Sequence, residues 1–520
     1  MAMGGTPLLL SAGYSKVAPI ITLILYMISM IIIAAICRKK SKSLSSFFLA
    51  DRGLGGWMSA FSYGAAYFSA VVFIGYAGKF GMGMGLSAIW IGLANAIIGA
   101  FLAWIVLAKR TRSMTRRLDS RTMPEFFEKR YQNKYIKLVS SIIIFIFLIP
   151  YSTSVYQGLG YLFEMIFDIP FYWCIIMMAV LTSLYLFSGG YFATALSDFV
   201  QGIIMLGGVI VMLVLMFKAP QVNGIEGLRK LTQAGYGVLP SFEGDRLIDS
   251  SAFNVIILIF LTSFGIWSLP HSVHKFYAIK NPSAIKKASI ISTAFALIIG
   301  VSAYLNGGLA RLFFDQIPPE GVDSIVPQML IKANFPGAML GLIMVLVLSA
   351  SMSTLSSISL SGSSALIIDG YKGYIKKDAS DNHIKTILRI VCLIFVALSA
   401  VLAIYRVDAI VTLMSLSWGT LAGCFMGPYI YGLYSKKVTS TAAMVSIIGG
   451  IVATFSMILI FGAIEGGSGF ENLIKAGISR APLIGVITMA LSMIITPLVS
   501  LFTKKPSEEH IKKCFEGVEN

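Results

Sequence analysis

Apolar positions in this chain come in long unbroken runs, not in the alternation of a half-buried strand or the single stripe of a surface helix. Windows of about 20 apolar residues recur from end to end, each long enough to cross a hydrocarbon core of roughly 30 Å. They predict thirteen helical spans, at about 16–37, 54–79, 85–108, 137–165, 170–188, 191–217, 251–274, 288–312, 336–368, 386–405, 408–434, 440–463 and 481–503. The longest polar segment, around 218–250, is mixed and Gly-rich, too short for a folded domain of its own. The pattern therefore predicts an all-α polytopic membrane protein, one transmembrane domain over 1–520.

Composition agrees: only 12% of residues are charged, against roughly 25% in a soluble domain. A net charge of +17 would suit a nucleic-acid partner if it were spread over a soluble surface. Here the basic residues cluster between spans, in "RKKSK", "KRTRSMTRR", "KNPSAIKK", "YKGYIKK", "SKK" and the tail "KKPSEEHIKK". Placing these in the cytoplasm puts the larger share of the 41 Lys and Arg on one side. The expectation is a multi-pass plasma (inner) membrane protein, N-terminus outside and C-terminus inside, with lipid around it and no nucleic-acid partner. Topology accounts for "KRTRSMTRRLDSR"; a lipid-headgroup role is the alternative. The first apolar run, "VAPIITLILYMISMIIIAAIC", is too long for a cleavable signal. No phosphate-binding loop appears, so no nucleotide partner is expected. The five cysteines are scattered, without the spacing of a disulfide framework or metal site.

One helix carries an unusual load. "LSASMSTLSSISLSGSSA", Leu348–Ala365, holds nine serines and a threonine directly after the lipophilic "AMLGLIMVLV". Ala350, Ser353, Thr354, Ser357 and Ser361 share one helical stripe, with Ser356 beside it. Small residues let helices pack closely, and a hydroxyl can bond back to its own i−4 carbonyl. So dense a cluster of neutral oxygens also suits a hard monovalent cation.

Such a site draws further oxygens from a broken helix, whose carbonyls are released where it unwinds. The second span, "MSAFSYGAAYFSAVVFIGYAGKFG", offers Gly64, Ala65 and Ala66 between Ser62 and Ser69. The seventh, "LTSFGIWSLPHSVHK", is interrupted at Gly265 and Pro270. Asp198 lies about 8 residues past the Gly189–Gly190 turn, roughly 12 Å into its helix. It reads as the one acidic residue so deep in a span, either functional or the structural partner of a polar group elsewhere. His271 and His274 are expected to line the exit of their span, and Trp267 either a cavity wall or the interfacial belt.

On "FFLADRGLGGWMSAFSYGAAYFSA", "FSGGYFATALSDFVQ", "LPHSVHKFYAIKN" and "SASMSTLSSISLSGSSALIIDGY", the chain resembles the sodium/solute symporter family. That family includes bacterial proline, pantothenate and sialic acid symporters and the sodium–glucose cotransporters. The resemblance runs from about 15 to 505. It implies an extra N-terminal helix (16–37), an inverted pair of five-helix repeats (54–217 and 251–434), two C-terminal helices (440–503) and a cytoplasmic tail (504–520). It also implies a sodium site formed by carbonyls of Ala65, Phe68 and Ala350 and hydroxyls of Ser353 and Thr354. A second Na⁺, as in some members, would fall to Asp198, Ser353, Ser356 and Ser357. The solute would lie near Tyr67, Ser69, Ala70, Thr262, Ile266 and Trp267, with Ser415 or Trp418 from the eleventh span. Tyr67 stands where proline symporters carry an acidic residue.

These readings predict a symporter, not an enzyme, that imports a small organic solute by alternating access. The solute is expected to be an amino acid such as proline or a monocarboxylate such as pantothenate. Proton coupling through Asp198, a sugar or sialic acid as solute, a passive channel and a solute sensor are the alternatives. A sensor of this family carries a signalling domain, and the chain runs only about 17 residues past its last span.

Overall fold

Each of the thirteen apolar windows folds as helix in the computed structural model, which describes residues 16–37, 49–188, 191–244, 246–467 and 469–518. The basic "RKKSK" and the Gly189–Gly190 turn lie outside the described residues. Ten helices among those described are long and apolar enough to cross a membrane, and Val17–Ile33 and Phe171–Leu184 are shorter apolar helices. The longest run, Val71–Arg117, holds parts of two expected spans. It turns at Gly85, where φ is +62° and ψ −138°, a conformation that glycine adopts without a Cβ clash.

Polar caps set where helices begin. Asn281 Oδ1 accepts from Ala284 N at 2.8 Å, with Pro282 as the first helical residue. Thr122 Oγ1 accepts from Glu125 N at 3.2 Å while the Glu125 carboxylate takes Arg121 N at 2.7 Å. Ser250, Ser380 and Thr439 cap their helices in the same manner.

Two runs of five helices form the body, each opening with a broken helix. In the first half the break separates Gly56–Tyr67 from Val71–Gly81. In the second it separates Ser251–Ser268 from Pro270–Tyr277. The second helices of the two halves cross where Gly92 meets Gly300. A Cβ on Gly92 would stand 2.5 Å from the Gly300 carbonyl carbon, so glycine is what allows this approach. Gly92→Val is therefore expected to destabilise the protein by roughly 1–3 kcal/mol, the usual cost of overpacking. A thermal ramp on purified protein checks this against Gly207→Ala, whose Cβ would meet nothing within 4 Å.

Burial sorts the helices into centre and rim. The apolar window of Ile410–Tyr434 is 94% buried and that of Gly337–Ile375 is 83% buried, against 28% for Ser440–Ile464. The first two are therefore the central helices, and the third faces lipid. The hydroxyl-rich helix, Gly337–Ser364, keeps Ser349, Ser351, Ser353, Thr354, Ser356 and Ser359 fully buried. It then continues to Ile375 in a wider, π-type register, beyond the expected end at 368. The extension carries a fully buried carboxylate besides Asp198: Asp369, with Lys137 Nζ 4.0 Å away.

Candidate functional site

The first broken helix stops one turn later than its glycine suggests. Gly64 packs against Phe295, whose Cδ1 would lie 2.5 Å from an added Cβ, so it serves close packing. The chain leaves the helix at Phe68, with φ −107° and ψ 127°. Ser69 helps to restart it, its Oγ accepting from Val71 N at 3.2 Å. Ala65 and Ala66 thus occupy the last helical turn, where carbonyls lack their usual i+4 partners.

The hydroxyl-rich helix meets those carbonyls. Ser353 Oγ lies 2.8 Å from Ala65 O and 2.9 Å from Ala350 O of its own helix. Thr354 Oγ1 lies 3.4 Å from Ala66 O and 3.0 Å from Ala350 O. Ser351 Oγ accepts from Ala70 N at 3.2 Å, tying the restarted helix to the same face. Three carbonyl oxygens here face two hydroxyls, which have one proton each. The Ala65 and Ala66 carbonyls, released at the break, take the two hydroxyls as partners in a fully buried place, and neutral oxygens grouped in this way are the kind that a hard cation accepts. Four of the five expected principal ligands therefore converge, and Phe68, the fifth, is the extended residue at the break.

Asp198 stands one turn away and is fully buried on Tyr191–Lys218. Its Oδ2 accepts from Ser62 Oγ at 2.5 Å and from Lys275 Nζ at 3.2 Å. Lys275, 2% exposed, also reaches Ser62 Oγ at 2.9 Å and Ser357 Oγ at 3.0 Å. Of the residues expected around a second ion, Asp198 and Ser357 meet at this ammonium. Ser356 donates to the Ser353 carbonyl at 3.0 Å, and Ser353 is occupied at Ala65. A cleft lined by Thr122, Tyr191, His271, His274, Lys275 and Ser364 approaches the pair. Both histidines line this cleft.

Between the two breaks lies an aromatic cluster. Tyr67 stacks on Trp418 at 6.3 Å between ring centres, and its hydroxyl donates to the Thr262 carbonyl at 2.8 Å. Trp418 meets Tyr151 edge-on at 5.6 Å, and Tyr151 lies 5.7 Å from His271. Tyr151 Oη, Trp418 Nε1 and both His271 ring nitrogens are buried without a hydrogen-bond partner. Thr262 Oγ1 is held by Asn95 Oδ1 at 2.8 Å, and Ser415 Oγ by Tyr76 Oη at 2.8 Å. Ile266 is buried just before the second break. The Trp267 indole turns to Ile98 O at 3.1 Å and packs on Phe264. Ser69 and Ala70 begin the restarted helix, and Gly158 lies against Ala70.

Sequence reasoning missed Lys275, Tyr151 and Ser351. Lys275 sits in the quoted "LPHSVHKFYAIKN", where a cation near a span end reads as a topology marker. Its signal was position, five residues after a helix-starting proline and directly past the expected span end at 274.

The sequence profile described as "Sodium:solute symporter family" matches residues 47–450. The osmoregulated proline transporter OpuE of Bacillus subtilis (strain 168) is 29% identical over 497 residues, covering 94% of this chain and 96% of its own. Sodium/proline symporter 2 of Staphylococcus saprophyticus is 29% identical over 486 residues, 90% of this chain and 89% of its own. A solved structure described as the substrate-bound outward-open state of a Na⁺-coupled sialic acid symporter superposes with a TM-score of 0.74. It does so at 19% identity, over 94% of this chain and 99% of that one, which establishes a shared fold.

Proposed function

The chain belongs to the sodium:solute symporter family, and from this premise we propose that it imports a small neutral amino acid of the proline type together with sodium. Sodium is cargo, not a resident cofactor. In this reading it sits among Ala65, Phe68, Ala350, Ser353 and Thr354, and the solute lies among Tyr67, Tyr151, His271 and Trp418. The observation that carries the reading is the meeting of the Ser353 and Thr354 hydroxyls with the Ala65 and Ala66 carbonyls that the break releases.

The solute class follows from the cluster's chemistry. Flat aromatic faces suit a compact apolar ring, and the unpartnered Trp418 Nε1, Tyr151 Oη and His271 nitrogens suit its carboxylate. The names of the proline-transporting relatives support the same class. The proposed orientation puts the basic face in the cytoplasm, N-terminus outside.

Ion and solute are coupled because the first break serves both: Ala65 and Phe68 face the ion while Tyr67, between them, faces the solute. Each ligand then favours the arrangement the other needs. Counterflow in proteoliposomes with labelled proline, in sodium, lithium or potassium at fixed pH, tests the proposal. Sodium-dependent exchange is expected. Uptake driven by a pH gradient and indifferent to sodium removes it in favour of proton coupling.

A specific prediction concerns Trp418. Trp418→Phe keeps most of the aromatic face and deletes only the N–H. It is expected to raise the solute KM about tenfold, the equivalent of one charge-assisted hydrogen bond. The sodium dependence should move far less, which initial-rate uptake at varied solute and sodium separates.

A further inference from the structure

Neither the ion site nor the solute site uses Lys275. It lies on Pro270–Tyr277, the short segment after the second break, and its ammonium reaches the first broken helix, the Asp198 helix and the hydroxyl-rich helix at once. Nζ has three protons and three oxygen partners, Ser62 Oγ, Ser357 Oγ and Asp198 Oδ2, all within 3.2 Å. The Tyr191 ring flanks it at 5.3 Å.

A compact monovalent cation ringed by two hydroxyls and one carboxylate is what a bound sodium ion would look like there. We propose that the Lys275 ammonium is a tethered substitute for a second alkali cation between Ser62, Asp198 and Ser357, so that one sodium moves per solute. The proposal rests on the sodium-symport reading and fixes its stoichiometry.

Two physical points carry it. The ammonium already neutralises Asp198, so a sodium ion beside the same oxygens would add an uncompensated buried charge and repel its neighbour. The ammonium is also anchored in the chain, so it cannot leave with the solute as an ion does. Ser62 is three residues before Ala65, and Ser357 four after Ser353, so the tethered charge sits one turn from the sodium site along both helices. It holds the two together whether or not sodium is present. Without it, Asp198 would keep one oxygen on Ser62 and leave Oδ1, already unpartnered, for an ion arriving through the adjacent cleft.

The test is the charge moved per solute, read as a reversal potential in proteoliposomes with set sodium and proline gradients. The expected result is one charge per proline, with a sodium Hill coefficient near one. Two charges per proline would overturn the tethered-cation proposal and leave sodium symport standing. Flux without sodium dependence would instead overturn the symport reading. Lys275→Ala is the second arm, read by equilibrium binding of radioactive sodium to purified protein. It is expected to bind two ions where the wild type binds one, and the added ion should vanish in Lys275→Ala/Asp198→Asn. A folded Lys275→Ala that still binds a single ion overturns the proposal. If that variant does not fold, the wild-type charge ratio decides alone.

Discussion

Ser353→Ala is expected to raise the sodium concentration for half-maximal uptake by about ten- to a hundredfold. Truncation removes one buried oxygen that lies 2.8 Å from Ala65 O and 2.9 Å from Ala350 O. A hydrogen bond or dipole contact to a charged group is worth about 1.5–3 kcal/mol, and roughly 1.4 kcal/mol is a factor of ten in affinity. The effect falls on the ion because both carbonyls remain while a ligand is lost. Thr354→Ala should act the same way but less strongly, since its oxygen stands farther off, at 3.4 Å from Ala66 O. Thr354→Ser keeps the oxygen and should stay close to wild type. Uptake at fixed proline and varied sodium is the measurement, with protein abundance in the membrane as the control for folding.

The second large effect is expected on stability. Asp198→Asn leaves the Lys275 ammonium buried without a counter-charge, and removing one partner of a buried pair costs about 3–5 kcal/mol. The double variant Asp198→Asn/Lys275→Met removes both charges and should recover most of that loss. Thermal unfolding of the purified variants in sodium-free buffer completes the cycle and yields the coupling between the two residues. Additive losses would mean that the 3.2 Å contact carries no interaction of its own.

Much of the architecture was legible because the bilayer leaves few options. A chain in lipid must satisfy its backbone internally, so apolar runs of sufficient length become helices. Spans predicted at 191–217 and 440–463 fold as Tyr191–Lys218 and Ser440–Ile464. Helix ends set by packing were harder. The hydroxyl-rich helix runs on to Ile375 because protein, not water, surrounds Asp369. Between Ser62 and Ser69 the sequence offers Gly64, Ala65 and Ala66 without fixing the residue at which the helix opens; Gly64 packs on Phe295, and the chain opens at Phe68.

The site divides along the same line. Ser353, Thr354 and Ala65 were legible because ten hydroxyls in one helix demand partners that lipid cannot give. Tyr151 was not, since a tyrosine in "LIPYSTSVY" has no local feature to separate a cavity wall from core packing. Lys275 illustrates the limit of charge counting, which assigns a basic residue to a membrane face without asking what lies one turn deeper. Its partners come from 62, 198 and 357, separations that only the fold brings together.

Equilibrium binding of radioactive sodium to the purified protein, without solute, reads the ion site alone. Saturable binding to wild type is expected, and it should be lost in Ser353→Ala/Thr354→Ala while proline still protects that variant against thermal unfolding. A double variant that binds sodium with unchanged affinity would contradict this expectation.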